Sequence, residues 1–196
     1  FAETLSSHPD HPEEACAVFG IYAPNEDTAR MTYFGLHALQ HRGQESAGIA
    51  VADGSSVLVT KDLGLVTQVF SESSLASLTG HIAIGHARYS TSGSHSSWES
   101  AQPHLSAIDD NIIALAHNGT LVNTNRLRVH LLELGASFRS NSDSEVAAKL
   151  IGYFTKETHH MREGIRKTME LMEGAYAMVL ITAEALYAFR DPNGIR

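Results

Sequence analysis

The 196-residue sequence holds one cysteine, one tryptophan and five prolines. A single cysteine excludes an internal disulfide, and such usage fits a reducing compartment, with the cytoplasm as the expected location. A basic excess is missing too: 14 lysines and arginines face 22 acidic residues, for a formal charge of -8. That balance argues against nucleic acid as a partner, because a phosphate-binding surface needs clustered cations. No apolar run approaches the roughly 20 residues required to cross a bilayer, so no membrane partner is expected. Residues 1–15 lack the basic start and apolar stretch of a secretory signal. The 12 histidines are scattered, with no HExxH and no Cys/His pairing at zinc spacing. His159-His160 is an isolated pair, and no metal site is expected.

What is present is an ordinary globular balance, 43% hydrophobic and 18% charged, in a chain long enough for one sizeable core. The segment 1–15 is polar and aperiodic and reads as a mobile leader. The run CAVFGIY at 16–22 reads as a short buried strand. A helix is expected over 27–40, with Glu26 and Asp27 suited to its start. Residues 46–52 and 57–61 read as a hairpin around Asp53-Gly54. A short helical turn over 75–78 and a strand over 81–89 follow. Then comes a long small-residue loop over 90–99, of a kind that is often functional. A strand over 112–116 leads into His117-Asn118-Gly119-Thr120. Helices are expected over 125–134, with Asn123 or Thr124 as cap and Gly135 at the end, over 142–154 and over 159–172. Ser142 and Glu145 have capping-box spacing. A hairpin of 175–182 and 185–190 closes the chain. Antiparallel strands early and late, with helices between, indicate an α+β layered domain.

Five segments carry possible chemistry: Cys16-Ala17-Val18-Phe19-Gly20, His41-Arg42-Gly43-Gln44-Glu45, Gly85-His86-Ala87-Arg88-Tyr89-Ser90-Thr91, Ala116-His117-Asn118-Gly119 and Ser142-Asp143-Ser144-Glu145. Each alone has a bland explanation. A lone cysteine is most often a small buried apolar residue. An Asn-Gly pair is most often a tight turn, and Ser-Asp-Ser-Glu a helix cap. Arg88 and Asp143 could simply pair with each other or with the surface.

Together and in this order, the segments resemble the class II glutamine amidotransferases, and within them the amidophosphoribosyltransferase family. Leu39-Gln40-His41-Arg42-Gly43-Gln44-Glu45-Ser46-Ala47-Gly48 and Phe189-Arg190-Asp191-Pro192-Asn193-Gly194-Ile195-Arg196 resemble that family's signatures. The resemblance spans 16–196. It implies the N-terminal-nucleophile hydrolase fold, a four-layer αββα sandwich of two antiparallel sheets. It implies Cys16 as nucleophile, Asn118 and Gly119 as oxyanion donors, and Arg88 on the glutamine α-carboxylate. Asp143 matches the residue on the α-ammonium and Thr91 the substrate loop. Arg42 and Gly43 match a loop that closes over glutamine. Ala17 stands where the family has glycine.

These assignments suit amide hydrolysis, which needs a nucleophile, a base, an oxyanion site and a clamp for the amino-acid end. A thiolate is effective once a base takes its proton. No histidine neighbours Cys16 in sequence. Cleavage before Cys16 would release an α-amine, whose pKa near 7.7–8.0 in model peptides suits that base. The leader 1–15 occupies the position of a propeptide that some members remove autocatalytically. With it attached, glutaminase activity is expected to be absent or very low. The family also has a C-terminal phosphoribosyltransferase domain, which is not expected in this chain. No P-loop and no acidic pair for phosphoribosyl pyrophosphate is found. By resemblance the full-length protein is a homo-oligomer that uses Mg2+, and some members hold an iron–sulfur cluster in that second domain. One cysteine cannot hold a cluster. Two alternatives stand beside this reading: the glutaminase of another class II enzyme, such as glucosamine-6-phosphate synthase or asparagine synthetase, and a non-catalytic glutamine-binding module.

Overall fold

A computed structural model describes residues 16–88 and 97–196. Eight strands form two four-stranded antiparallel sheets. The first sheet has the order β1-β4-β2-β3, from β1 (Ala17–Tyr22), β2 (Ser46–Ala52), β3 (Val57–Leu63) and β4 (Ile82–Arg88). The second runs β5-β6-β7-β8, from β5 (His104–Ile108), β6 (Asn111–Leu121), β7 (Gly174–Ile181) and β8 (Leu186–Arg190).

The strand period of two sorts each sheet's side chains into faces. In the first sheet Ala47, Ile49, Val51, Ala83 and Ala87 turn outward. There they meet α1 (Thr28–Ala38), α2 (Val66–Val69) and α3 (Glu72–Ser77) through Leu36, Val66 and Leu75. Ala50, Ala52, Ile82 and Ile84 turn inward onto Ala114, Ala116 and Ile181 of the second sheet. The outer face of that sheet, with Ile113, Leu115 and Met178, is covered by α4 (Thr124–Glu133), α5 (Asp143–Thr158) and α6 (Met161–Leu171). The result is the expected four-layer αββα sandwich. Central strand β2, SAGIAVA, is buried at every position, because helices cover one face and a sheet the other.

Several local expectations change. Strand β6 runs on through Leu121, so Asn118-Gly119 lies in a strand, not a turn. Strand β5 went unread because its buried positions are His104 and Ser106 while Leu105 is exposed, the inverse of an apolar alternation. Helix α1 ends at Ala38, and a separate 3-10 turn, Gln40–Arg42, follows. Asp27 caps α1 by accepting from the Arg30 N–H at 3.0 Å. His159 adopts φ 60 as the left-handed cap of α5, so α6 begins only at Met161. Asn123 occupies the α4 cap position, but its side chain reaches Leu171 O and the Glu173 N–H instead. The capping box of α5 does not close: Ser142 accepts from Ser144 N, while Glu145 turns to residues 139 and 140. Among the described residues no helix is long and apolar enough to cross a membrane.

Candidate active site

The two sheets are packed so that one end of each arrives at the same place. Gly20 of β1 lies against Val179 and Leu186 of the second sheet. Further along, His86 Nε2 of β4 donates to His117 O of β6 at 3.1 Å. Continuing the same way leads to Arg88 in the first sheet and to Asn118 and Gly119 in the second. Half-buried Cys16 directly precedes β1, whose register pairs Ala17 with Ala87. One more step sets Cys16 beside Arg88, on the inward face that Val18 and His86 share. β2 flanks Arg88 on the other side, pairing it with Ser46. Thus Cys16, Arg88 and Asn118 converge on one end of the inter-sheet layer.

The guanidinium of Arg88 lies 3.4 Å, Nε to Oε2, from the carboxylate of Glu45. The adjoining backbone closes the same contact, Glu45 N donating to Arg88 O at 2.9 Å. Gly43 explains why the 41–45 loop sits so close. A Cβ there would strike the backbone of Ala87 and Arg88, so glycine is required for this approach. The loop bearing Arg42 is thereby laid on the strand end that bears Arg88.

On the facing sheet, Gly119 has φ +146 and is backed by the Ala175 carbonyl, which a Cβ would overlap. Only glycine takes that conformation without strain. Asp143, at the start of α5, braces the same strand. Its Oδ2 accepts from the Leu121 N–H at 3.0 Å, and its Oδ1 accepts from Ser144 Oγ at 3.2 Å. Ser144 Oγ in turn lies 3.0 Å from His117 Nδ1. Residues 117 and 121, on either side of Asn118-Gly119, are thus tied to the first two residues of one helix. Burial alone would raise the Asp143 pKa. Hydrogen bonding and charge from His117, the Leu121 N–H and Ser144 outweigh it and bring it down to about 2. The carboxylate is therefore ionised at any physiological pH, as a partner for an ammonium must be.

Arg88 and Asp143 do not neutralise each other: one lies beside Glu45, the other in the His117–Ser144 network. Thr91 lies outside the described residues, with most of the 90–99 loop. Four contributors escaped the sequence reading: Glu45, His86, Gln102 and His117. Three of them sit inside the quoted segments, and only their neighbours carried assigned roles. Gln102 had no signal at all.

Burial pushes His86 and His104 down to about 3, with His117 adding to the effect at His86 and Lys61 at His104. Both rings are neutral. Among the described residues no three His, Cys, Asp or Glu side chains are grouped to hold a metal ion.

Comparisons with known proteins bear on the family and the fold. A profile described as a glutamine amidotransferase domain matches residues 86–196. An amidophosphoribosyltransferase of Synechococcus elongatus is 52% identical over 188 residues, covering 96% of this chain and 38% of that protein. Two solved structures superpose over 91% of this chain and 38% of theirs, each at 41% identity. One, described as the allosteric regulatory enzyme of purine biosynthesis, gives a TM-score of 0.82. The other, glutamine phosphoribosylpyrophosphate amidotransferase from B. subtilis complexed with ADP and GMP, gives 0.80. The architecture is that of the N-terminal-nucleophile hydrolases. Within it, the chain belongs to the glutamine amidotransferase domain family, and it spans about two fifths of the length of the amidophosphoribosyltransferases it matches.

Proposed function

We propose that residues 16–196 hydrolyse the side-chain amide of glutamine to glutamate and ammonia, with Cys16 as nucleophile. The observation that carries this reading is the convergence of Cys16 and Arg88 at one sheet end on Asn118-Gly119 at the end of the other. Once Cys16 is the first residue, its α-amine takes the thiol proton, directly or through water. The sulfur attacks the amide carbon, and the carbonyl oxygen becomes an oxyanion. The Asn118 side-chain amide and the Gly119 N–H hold that charge. Collapse expels ammonia, which carries off the proton from the amine, and leaves a γ-glutamyl thioester on Cys16. Water then adds, the thiol leaves, and glutamate departs. Arg88 binds the α-carboxylate, Asp143 the α-ammonium, and Thr91 with the Arg42-Gly43 loop closes over the substrate.

In the full-length protein, a phosphoribosyltransferase domain consumes the ammonia to form phosphoribosylamine, the first step of purine biosynthesis. The names of the relatives support this step. Residues 1–15 act as a leader that must leave before Cys16 can work. The assembly is a homo-oligomer in the cytoplasm. Mg2+, and an iron–sulfur cluster if there is one, belong to the second domain, and no step here passes through them.

The test is intact mass and glutamate release on one sample. A chain beginning at Cys16 should release glutamate, and Cys16→Ala should lower the rate by more than about 10⁴-fold. Full turnover with the leader still attached would refute the amine as base.

A further inference from the structure

Strand β5 stops pairing with β6 at His104 and Leu115. The register extended by two more residue pairs would set residue 102 opposite His117. The backbone is not there to pair: Pro103 has no N–H to give, and the carbonyl of Gln102 has moved onto Gly48 of β2, where a side chain would collide with it. The side chain of Gln102 fills the gap. Its Oε1 accepts from the His117 N–H at 2.7 Å, and its Nε2 donates to His117 O at 3.3 Å. One side-chain amide thus makes the two bonds a neighbouring strand would have made. His86 Nε2 adds a second donor to the same carbonyl.

The segment that carries Gln102 is itself fastened. Lys61 of β3 donates its ammonium to the carbonyls of Ala101 and Pro103, one on each side. Gln102 is only 6% exposed, so water does not compete for its bonds.

From this we infer that Gln102 is a positioning residue for the oxyanion pair. The inference rests on the glutaminase reading above. The carbonyl that Gln102 and His86 hold belongs to the peptide joining His117 to Asn118, so its plane sets where the Asn118 side chain starts. Strand alternation points the Gly119 N–H to the same edge as the His117 N–H, beyond His104, the first residue of β5. Gln102 therefore completes the strand edge at His117 and leaves it open at Gly119, where an oxyanion needs a donor. A donor displaced by about 1 Å can cost on the order of 10²-fold in rate.

The experiment uses the full-length protein with Gln102→Leu, which removes both bonds, and Gln102→Glu, which keeps the acceptor but sets an oxygen against His117 O. Glutamine hydrolysis should lose about 10- to 100-fold in kcat in Gln102→Leu, with KM for glutamine within about threefold. Glutamate γ-semialdehyde is the second probe, because addition of the Cys16 thiol to its aldehyde puts an oxygen in the same place. Its affinity should fall in step with kcat. Amide hydrogen exchange at His117 and Asn118 should quicken at least tenfold, with the melting temperature lowered by a few degrees for the buried His117 N–H left without its acceptor. If Gln102→Leu does not fold, the same measurements on isosteric Gln102→Glu decide. Wild-type kcat, semialdehyde affinity and exchange in a folded variant would overturn the inference. Wild-type protein without Cys16-dependent glutamate release would overturn the glutaminase reading instead, and the exchange rates would still decide whether Gln102 holds the strand.

Discussion

Gly119 is the position where one added carbon would do most harm. Its φ of +146 is unfavourable for alanine, and the new methyl would meet the Ala175 carbonyl. Gly119→Ala should destabilise the fold by about 2–4 kcal/mol and, by moving the N–H, lower kcat by about 10² or more. Urea unfolding and glutamate release on one preparation check both. A variant with wild-type kcat would remove Gly119 from the proposed oxyanion pair. Asp143 illustrates a different dependence at this scale, since its proposed role needs charge as well as place. Its neighbours hold it ionised down to about pH 2, and only the fold supplies those neighbours.

At the scale of elements, the start of α5 is the joint on which the proposed substrate binding depends. Glu145, 4% exposed, accepts from Arg139 N at 3.0 Å, Ser140 N at 2.8 Å and Ser140 Oγ at 2.7 Å. It thereby ties the incoming loop to the helix that presents Asp143 two residues earlier. Glu145→Ala leaves those part-buried donors without their acceptor, at a cost of about 1–3 kcal/mol. The expected kinetic effect is a several-fold rise in KM for glutamine with little change in kcat, because Asp143 shifts while the thiol end does not. An unchanged KM would mean that Asp143 keeps its place without this brace.

Over the whole molecule, two histidines are buried neutral, His86 between the two sheets and His104 beneath the helices on the outer face of the second sheet. In the unfolded chain His86 and His104 would take up protons as pH falls through 6.5, whereas in the fold they resist until about 3. The unfolded state thus binds more protons across that window, so stability is complete above about pH 6.5 and falls as pH drops toward 3. Asp143 adds a later loss, from 3.8 down to about 2, because its folded pKa is the lower one. Urea midpoints should therefore fall between pH 7.5 and 5, and His104→Gln should flatten part of that slope. A flat wild-type profile would contradict the neutral, buried state of these rings.

The sequence by itself determined the layers, because strand and helix periods decide which residues turn inward: β2 and β4, the long helices and the closing hairpin β7–β8 were legible from period and turn chemistry. It also carried, through motif order, Cys16, Arg88, Asn118, Gly119 and Asp143 as candidates. It left β5 unread, since a strand whose buried positions are His104 and Ser106 has no apolar period to detect. It equally could not give the 3-10 turn at Gln40–Arg42, whose Gln40 side chain accepts from the distant Val66 N–H, or the redirection of Glu145 away from its expected cap, which depends on how the loop at 139 and 140 folds back onto the helix. Only the tertiary structure decided that Arg88 faces Glu45 and not Asp143, and that Gln102 stands in for a missing strand at His117. Local pattern records which face a residue takes. Which neighbours it meets there depends on how two sheets end together, and no local period encodes that.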